Sequence, residues 1–121
     1  MKFMTMVSSD ETVSPPPPAL FGAIMQLAAD ATKAGVLVEQ GGLMRTTLGA
    51  RVRITKGRIS VTDGPFTESK EVIGGYAVYE VGSKAEVLEW TRRFMQIHID
   101  HWPGWEGVAE VRQIFDTPKG P

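Results

Sequence analysis

Arg58-Ile59-Ser60-Val61-Thr62 alternates polar and apolar side chains and is then broken by Asp63-Gly64-Pro65-Phe66. This break constrains the chain more than any other feature. Alternation is the pattern of a half-buried strand, because successive side chains point to opposite faces. Gly64 tolerates unusual backbone angles, and Pro65 fixes its own φ and brings no amide hydrogen. The strand ends there, and a second apolar strand is expected over Glu71 to Val81, so the stretch joins two strands by a short turn. Asp63 is in phase with Ile59 and Val61 and therefore starts out aimed inward. Two readings are open for it: it accepts hydrogen bonds from amides of its own turn, as turn aspartates often do, or it is an acid held at a pocket edge. The candidate site is placed around this turn.

A length of 121 residues sets the expectation of a single domain, residues 1-121, with a core that a dimer would help to complete. Hydrophobic residues at 42% and charged residues at 22% are the balance of an ordinary globular protein. A net charge of -1 without blocks of either sign argues against nucleic acid or an anionic membrane as the main partner. The absence of cysteine excludes disulfides, thiol nucleophiles and cysteine metal sites. Met1 to Val7 is apolar but too short for a signal peptide, and no stretch approaches membrane-spanning length, so the cytoplasm is the expected location.

Lys2 to Val7 reads as a central strand and Ser8 to Val13 as a loop. Pro15 to Pro18 leads stiffly into a helix over Ala19 to Ala34, with Phe21, Ile24, Leu27, Ala28 and Ala31 at helical spacing and Gly35 as its C-terminal cap. Val36 to Glu39 is a short strand with a flexible corner at Gln40 to Leu43. Arg45 beyond it is either a solvated loop cation or a group that receives an anion close to glycine. Ala50 to Thr55 and Arg58 to Thr62 form a hairpin around Lys56-Gly57, with Arg51 and Arg53 on the face opposite Val52 and Ile54. Lys70 precedes the next strand and is positioned to meet Asp63 across the turn, as an exposed ion pair or as part of a site. Gly74-Gly75 inside that strand weakens it unless a backbone, a partner or a ligand packs closely there. Tyr76 follows.

Ser83 caps the second helix, and Glu86 three residues on completes a capping box. His98 lies on its buried stripe, where it is a core or interface histidine favoured in the protonated form by the helix end, or a proton shuttle. His98, Asp100 and His101 suggest a metal by residue type, but the helix ends within this group, which leaves their geometry unspecified. No pattern of residues that would orient such ligands is seen, so neither a metal nor a cofactor is expected. Trp102 and Trp105 line a pocket or cover the end of the sheet. Val108 to Phe115 is the last strand and Asp116 to Pro121 a tail. The order is strand, helix, strand, hairpin, strand, helix, strand. It predicts an α+β fold, a split β-α-β with an inserted hairpin, whose open sheet face needs a partner.

Val61-Thr62-Asp63-Gly64-Pro65-Phe66, with Glu68, Lys70-Glu71 and Ile73-Gly74-Gly75-Tyr76, resembles the signature of the DGPF group of YCII-related proteins. Pro15 to Pro18, Ala34 to Leu37, Gly41 to Leu43, His98, Trp102 to Gly107 and Glu110 to Arg112 extend the resemblance to nearly the whole chain. It implies a ferredoxin-like fold paired as a dimeric α/β barrel, hence a homodimer. Some YCII-related proteins are lyases or dehydrochlorinases acting on ring compounds, with a histidine-aspartate pair put forward as the active site. The best-known members carry that histidine in the first helix, where this chain has Leu20, Phe21 and Ile24.

Three functions follow as expectations. The first is an enzyme or binding protein for a small, anionic or aromatic molecule, with Asp63 and His98 as acid-base groups and Arg45, Lys70, Tyr76 and Trp102 contacting the ligand. The second is a non-catalytic sensing or regulatory module acting through a protein partner, as the resemblance implies for members found beside sigma factors. The third is a cofactor-free monooxygenase, which shares the dimeric barrel. No nucleotide loop, catalytic triad or zinc-helix motif supports the other common enzyme classes.

Overall fold

The computed structural model describes residues 1–116, so most of the expected tail lies outside the described residues. The elements run β1 (Lys2–Ser9), α1 (Pro18–Lys33), β2 (Leu37–Gly42), a one-turn 3-10 helix (Thr46–Leu48), β3 (Ala50–Thr55), β4 (Arg58–Asp63), β5 (Val72–Glu80), α2 (Lys84–His101) and β6 (Gly107–Gln113). Four strands make an antiparallel sheet in the order β2-β5-β1-β6. This is an α+β arrangement compatible with the ferredoxin-like expectation. β3 and β4 pair only with each other, as a separate two-stranded ribbon.

Local chemistry sets the helix ends. Pro18 opens α1 where its missing amide hydrogen costs nothing. The chain leaves α1 through Gly35, at φ 75°, with Val36 N–H donating to Ala31 O and Gly35 N–H to Thr32 O. That is the Schellman pattern, and only glycine enters it without steric cost. Ser83 Oγ accepts from Glu86 N–H at 3.2 Å, as the capping box predicts. The Glu86 carboxylate reaches back to Gly82 N–H rather than to Ser83.

Both helices cover one face of the sheet. Phe3, Thr5 and Val7 of β1 oppose Tyr79, Ala77 and Gly75 of β5, and this face holds the core of Phe3, Ala31, Tyr79, Val81 and Val87. Thr5 and Thr91 meet at 3.3 Å within it. Thr91 already donates to Val87 O, so Thr5 is the donor. Met4 and Met6, opposite Val78 and Tyr76, occupy the other face.

Several strand boundaries differ from those read in the sequence. β1 continues through Ser8 and Ser9 because β6 and β5 pair with both. β2 begins at Leu37 and includes Gly41 and Gly42, held by β5, instead of ending in a corner before them. β6 ends at Gln113, where its partner β1 begins.

The ribbon brings the largest correction. Its two-residue turn has Lys56 at φ 53° and Gly57 at φ 74°, the mirror-image turn that suits strand twist. Val52 pairs with Val61 and Ile54 with Ile59 on one face, yet these four side chains are 66–74% exposed. The alternation was legible, but within one chain it faces no core. Asp63, in phase with them, is exposed at the end of β4 instead of aimed inward.

The turn after β4 fastens the ribbon to the 3-10 helix. Gly64 N–H donates to Gly49 O at 2.8 Å and Phe66 N–H to Thr46 Oγ1 at 3.1 Å. Thr46 in turn donates its hydroxyl and amide to the Glu11 carboxylate, which these bonds hold below its usual range. Arg51 pairs with Glu68, donates to Ser69 Oγ at 2.8 Å and lies 3.9 Å from the Phe66 ring centroid. Gly64 is required for room: a Cβ there would sit 1.5 Å from Thr46 O. The Asp-Gly-Pro-Phe stretch therefore organises the ribbon's base. No ion pair joins Asp63 to Lys70 among the described residues.

Candidate functional site

A cavity of about 500 Å³ lies between the two helices and the covered sheet face. α1 supplies Leu20, Phe21, Ile24 and Met25, α2 supplies Thr91, Phe94 and His98, and the loop after α2 supplies Trp102 and Trp105. Glycines 41, 42, 74 and 75 line it where β2 meets β5. A Cβ on Gly75 would meet Gly41 O at 3.3 Å, whereas one on Gly74 would meet nothing within 4 Å. Close packing thus explains the second glycine of the pair and not the first.

His98 is the chemical centre of this cavity. It is 6% exposed, on the buried stripe of α2. Its Nδ1 lies 2.9 Å from Phe94 O. A carbonyl only accepts, so Nδ1 carries the hydrogen and Nε2 of the neutral ring holds the lone pair. No described residue bonds Nε2, and no buried side-chain nitrogen is left unsatisfied, so Nε2 keeps contact with accessible space. Burial pushes the imidazole below its ordinary 6.5, partly offset by the Phe94 bond. Burial therefore acts against the protonated form expected from the helix end, because desolvation disfavours the cation.

Aromatic rings fix His98 in place. The Phe94 ring centroid lies 4.7 Å and that of Trp105 4.4 Å from the imidazole, and Trp102 stacks on Trp105 at 6.0 Å. The loop is shaped to allow this. Gly104 turns it at φ 83°, and a Cβ on Gly107 would strike the Trp105 ring at 2.3 Å. Among the described residues lining the cavity, none is Asp, Glu, Lys or Arg.

The six residues singled out in the sequence separate into groups. His98 and Trp102 share the cavity. Tyr76 borders it along β5, but its ring lies against Gly41 on the face turned from the helices. The Tyr76 hydroxyl donates to Glu39 at 2.9 Å, which raises its pKa. Arg45 lines a separate, shallower recess with Leu43, Leu48 and Phe66. Asp63 and Lys70 line neither, and both are exposed. Within one chain Asp63 and His98 do not share a cavity. His98, Asp100 and His101 form no group of three metal-ligating side chains among the described residues. The residues missed as a set were Phe94, Thr91, Ile24 and Met25. Their helical spacing was visible, but the same spacing serves plain core packing.

Comparison with known proteins adds two findings. The family model of the YCII-related domain matches residues 1–117. The uncharacterized protein R00369 of Rhizobium meliloti (strain 1021) is 37% identical over 60 residues, 50% of this chain and 48% of that protein. The chain spans about half the length of this curated relative. No helix among the described residues is long and apolar enough to cross a membrane.

Proposed function

For a chain that belongs to the YCII-related domain family, we propose that the cavity binds a small uncharged aromatic molecule bearing an ionisable hydroxyl, a phenol or quinol. One observation carries this reading. A buried histidine, its Nδ1 hydrogen-bonded to Phe94 O, stands against the rings of Phe94 and Trp105 in a cavity whose lining has no charged side chain. A fixed anion entering it would lose its hydration and meet no cation, which is costly. A phenol loses less and stacks on Trp105 and Phe94 while its O–H donates to His98 Nε2. His98 then acts as the general base toward that hydroxyl, the step from which a lyase or dehydrochlorinase-like reaction would proceed.

A second reading is a ligand-sensing module without turnover, acting through a protein partner. It is favoured by the lack of a carboxylate or second imidazole in the lining, so no acid partner for His98 is at hand. In both readings the protein is a cytoplasmic homodimer. The support for the dimer is that both helices lie on one sheet face, which leaves the opposite face, with Met4 and Met6 half-buried, without a helix over it. Pairing two such faces would give the dimeric barrel.

Thermal-shift titration with phenol and with benzoate tests the ligand. Phenol should stabilise the wild type, benzoate should not, and His98→Gln should abolish the phenol shift while Asp63→Asn leaves it intact. Equal shifts with both compounds, or a His98→Gln chain that binds like wild type, would refute the assignment. Sedimentation as a monomer at micromolar concentration would refute the dimer.

A further inference from the structure

The β3–β4 ribbon is regular, yet its aliphatic face is mostly exposed. Two-stranded ribbons are marginal by themselves in water. Val52, Ile54, Ile59 and Val61, with Met44 and Leu48 beside the ribbon's base, form exposed apolar surface of the kind that marks an interface. A second uncovered apolar surface lies on the same chain. Phe21 and Met25, at the rim of the cavity, are 68% and 51% exposed.

We propose that the ribbon is an arm that lies across the cavity rim of a second copy of this chain, with Ile54 and Ile59 against Phe21 and Met25 of that copy. The arm then supplies the missing wall of the site, and each site is complete only in the dimer. Three arguments select this occupant. The base of the arm is tied to the 3-10 helix by the Gly64–Gly49 and Phe66–Thr46 bonds and through Thr46 to Glu11 ahead of α1, and held there its aliphatic face leaves Phe21 and Met25 of its own chain exposed. Reach is the second, and it rests on the open-face pairing proposed above. Strands of six residues extend ~20 Å, which spans a ~10 Å sheet-to-sheet gap and a further ~10 Å to the helix layer. Area is the third. A two-fold contact covers arm and rim on each chain at once, and the four aliphatic side chains of the arm with Phe21 and Met25, all more than half exposed, present area on the order of the 800 Å² per chain that a stable interface buries.

The lack of cysteine makes the test clean. Chains carrying Ile54→Cys and chains carrying Met25→Cys are co-expressed with different tags, and the mixed species is isolated and oxidised. The expected result is a disulfide joining position 54 of one chain to position 25 of the other, with little covalent dimer from either variant alone. A mixed dimer that forms no such bond overturns the arm but leaves the open-face pairing standing. Wild type that sediments as a monomer overturns both. A doubly substituted chain that closes the bond within one monomer overturns the exchange between copies. The arm also contributes to binding: Ile54→Asp, at a site exposed in the single chain, should weaken phenol binding by about tenfold, and unchanged affinity would refute the covering role.

Discussion

Replacing Gly64 with alanine separates a structural from a functional role for the Asp-Gly-Pro-Phe turn. The added Cβ would lie 1.5 Å from Thr46 O and 2.5 Å from its carbonyl carbon. Both are backbone atoms and no side chain can swing aside, so the turn must lift from the 3-10 helix. Lifting breaks the 2.8 Å bond from Gly64 to Gly49 and the 3.1 Å bond from Phe66 to Thr46. Each costs about 1 kcal/mol, and residual overpacking adds ~1–3 kcal/mol, giving about 3–5 kcal/mol in all. At roughly 3–5 °C per kcal/mol for a chain of this size, Tm should fall by about 9–25 °C. Calorimetry measures the fall, and phenol titration below the new Tm measures the site. The cavity is lined by none of these residues, so a properly folded variant should keep its ligand contacts within each chain. An unchanged Tm would refute the steric argument. A variant that remains dimeric, with the ribbon still docked, yet loses phenol binding would show that the turn belongs to the site.

His98 predicts a pH dependence. Its folded pKa lies below the unfolded value of 6.5, so the unfolded chain binds more protons near that pH. Stability is full above 6.5 and is lost as pH falls through it; denaturant titrations from pH 8 to 5 should show the decline, and His98→Gln should flatten this part of it. A Cβ on Gly107 would strike Trp105 at 2.3 Å, so Gly107→Ala should shift tryptophan emission and weaken phenol binding; an unchanged spectrum and affinity would refute the packing account. Val87 is 0% exposed at the centre of the core, and Val87→Ala should cost about 2 kcal/mol in denaturant melts, with a cost under a few tenths showing that the site collapses freely.

The sequence by itself determined the elements. Period-2 alternation, the Ser83 cap, Gly35 and the Lys56-Gly57 turn act over a few residues, and each had the predicted effect in place. The buried stripe of α2 was legible for the same reason, and His98 with it. What the sequence could not say was which faces find a partner. Val52 and Ile54 have the pattern of a buried strand face, yet they are exposed, because burial depends on what lies opposite and not on the strand itself. Asp63 inherited that error through its phase. The balance at His98 was also decided in three dimensions: local position near a helix end favours the cation, but burial of the ring in the folded chain disfavours it. Tertiary structure likewise revealed why Gly64 and Gly107 must lack a side chain, since each stands against atoms of other residues that the packing of the folded chain brings against them.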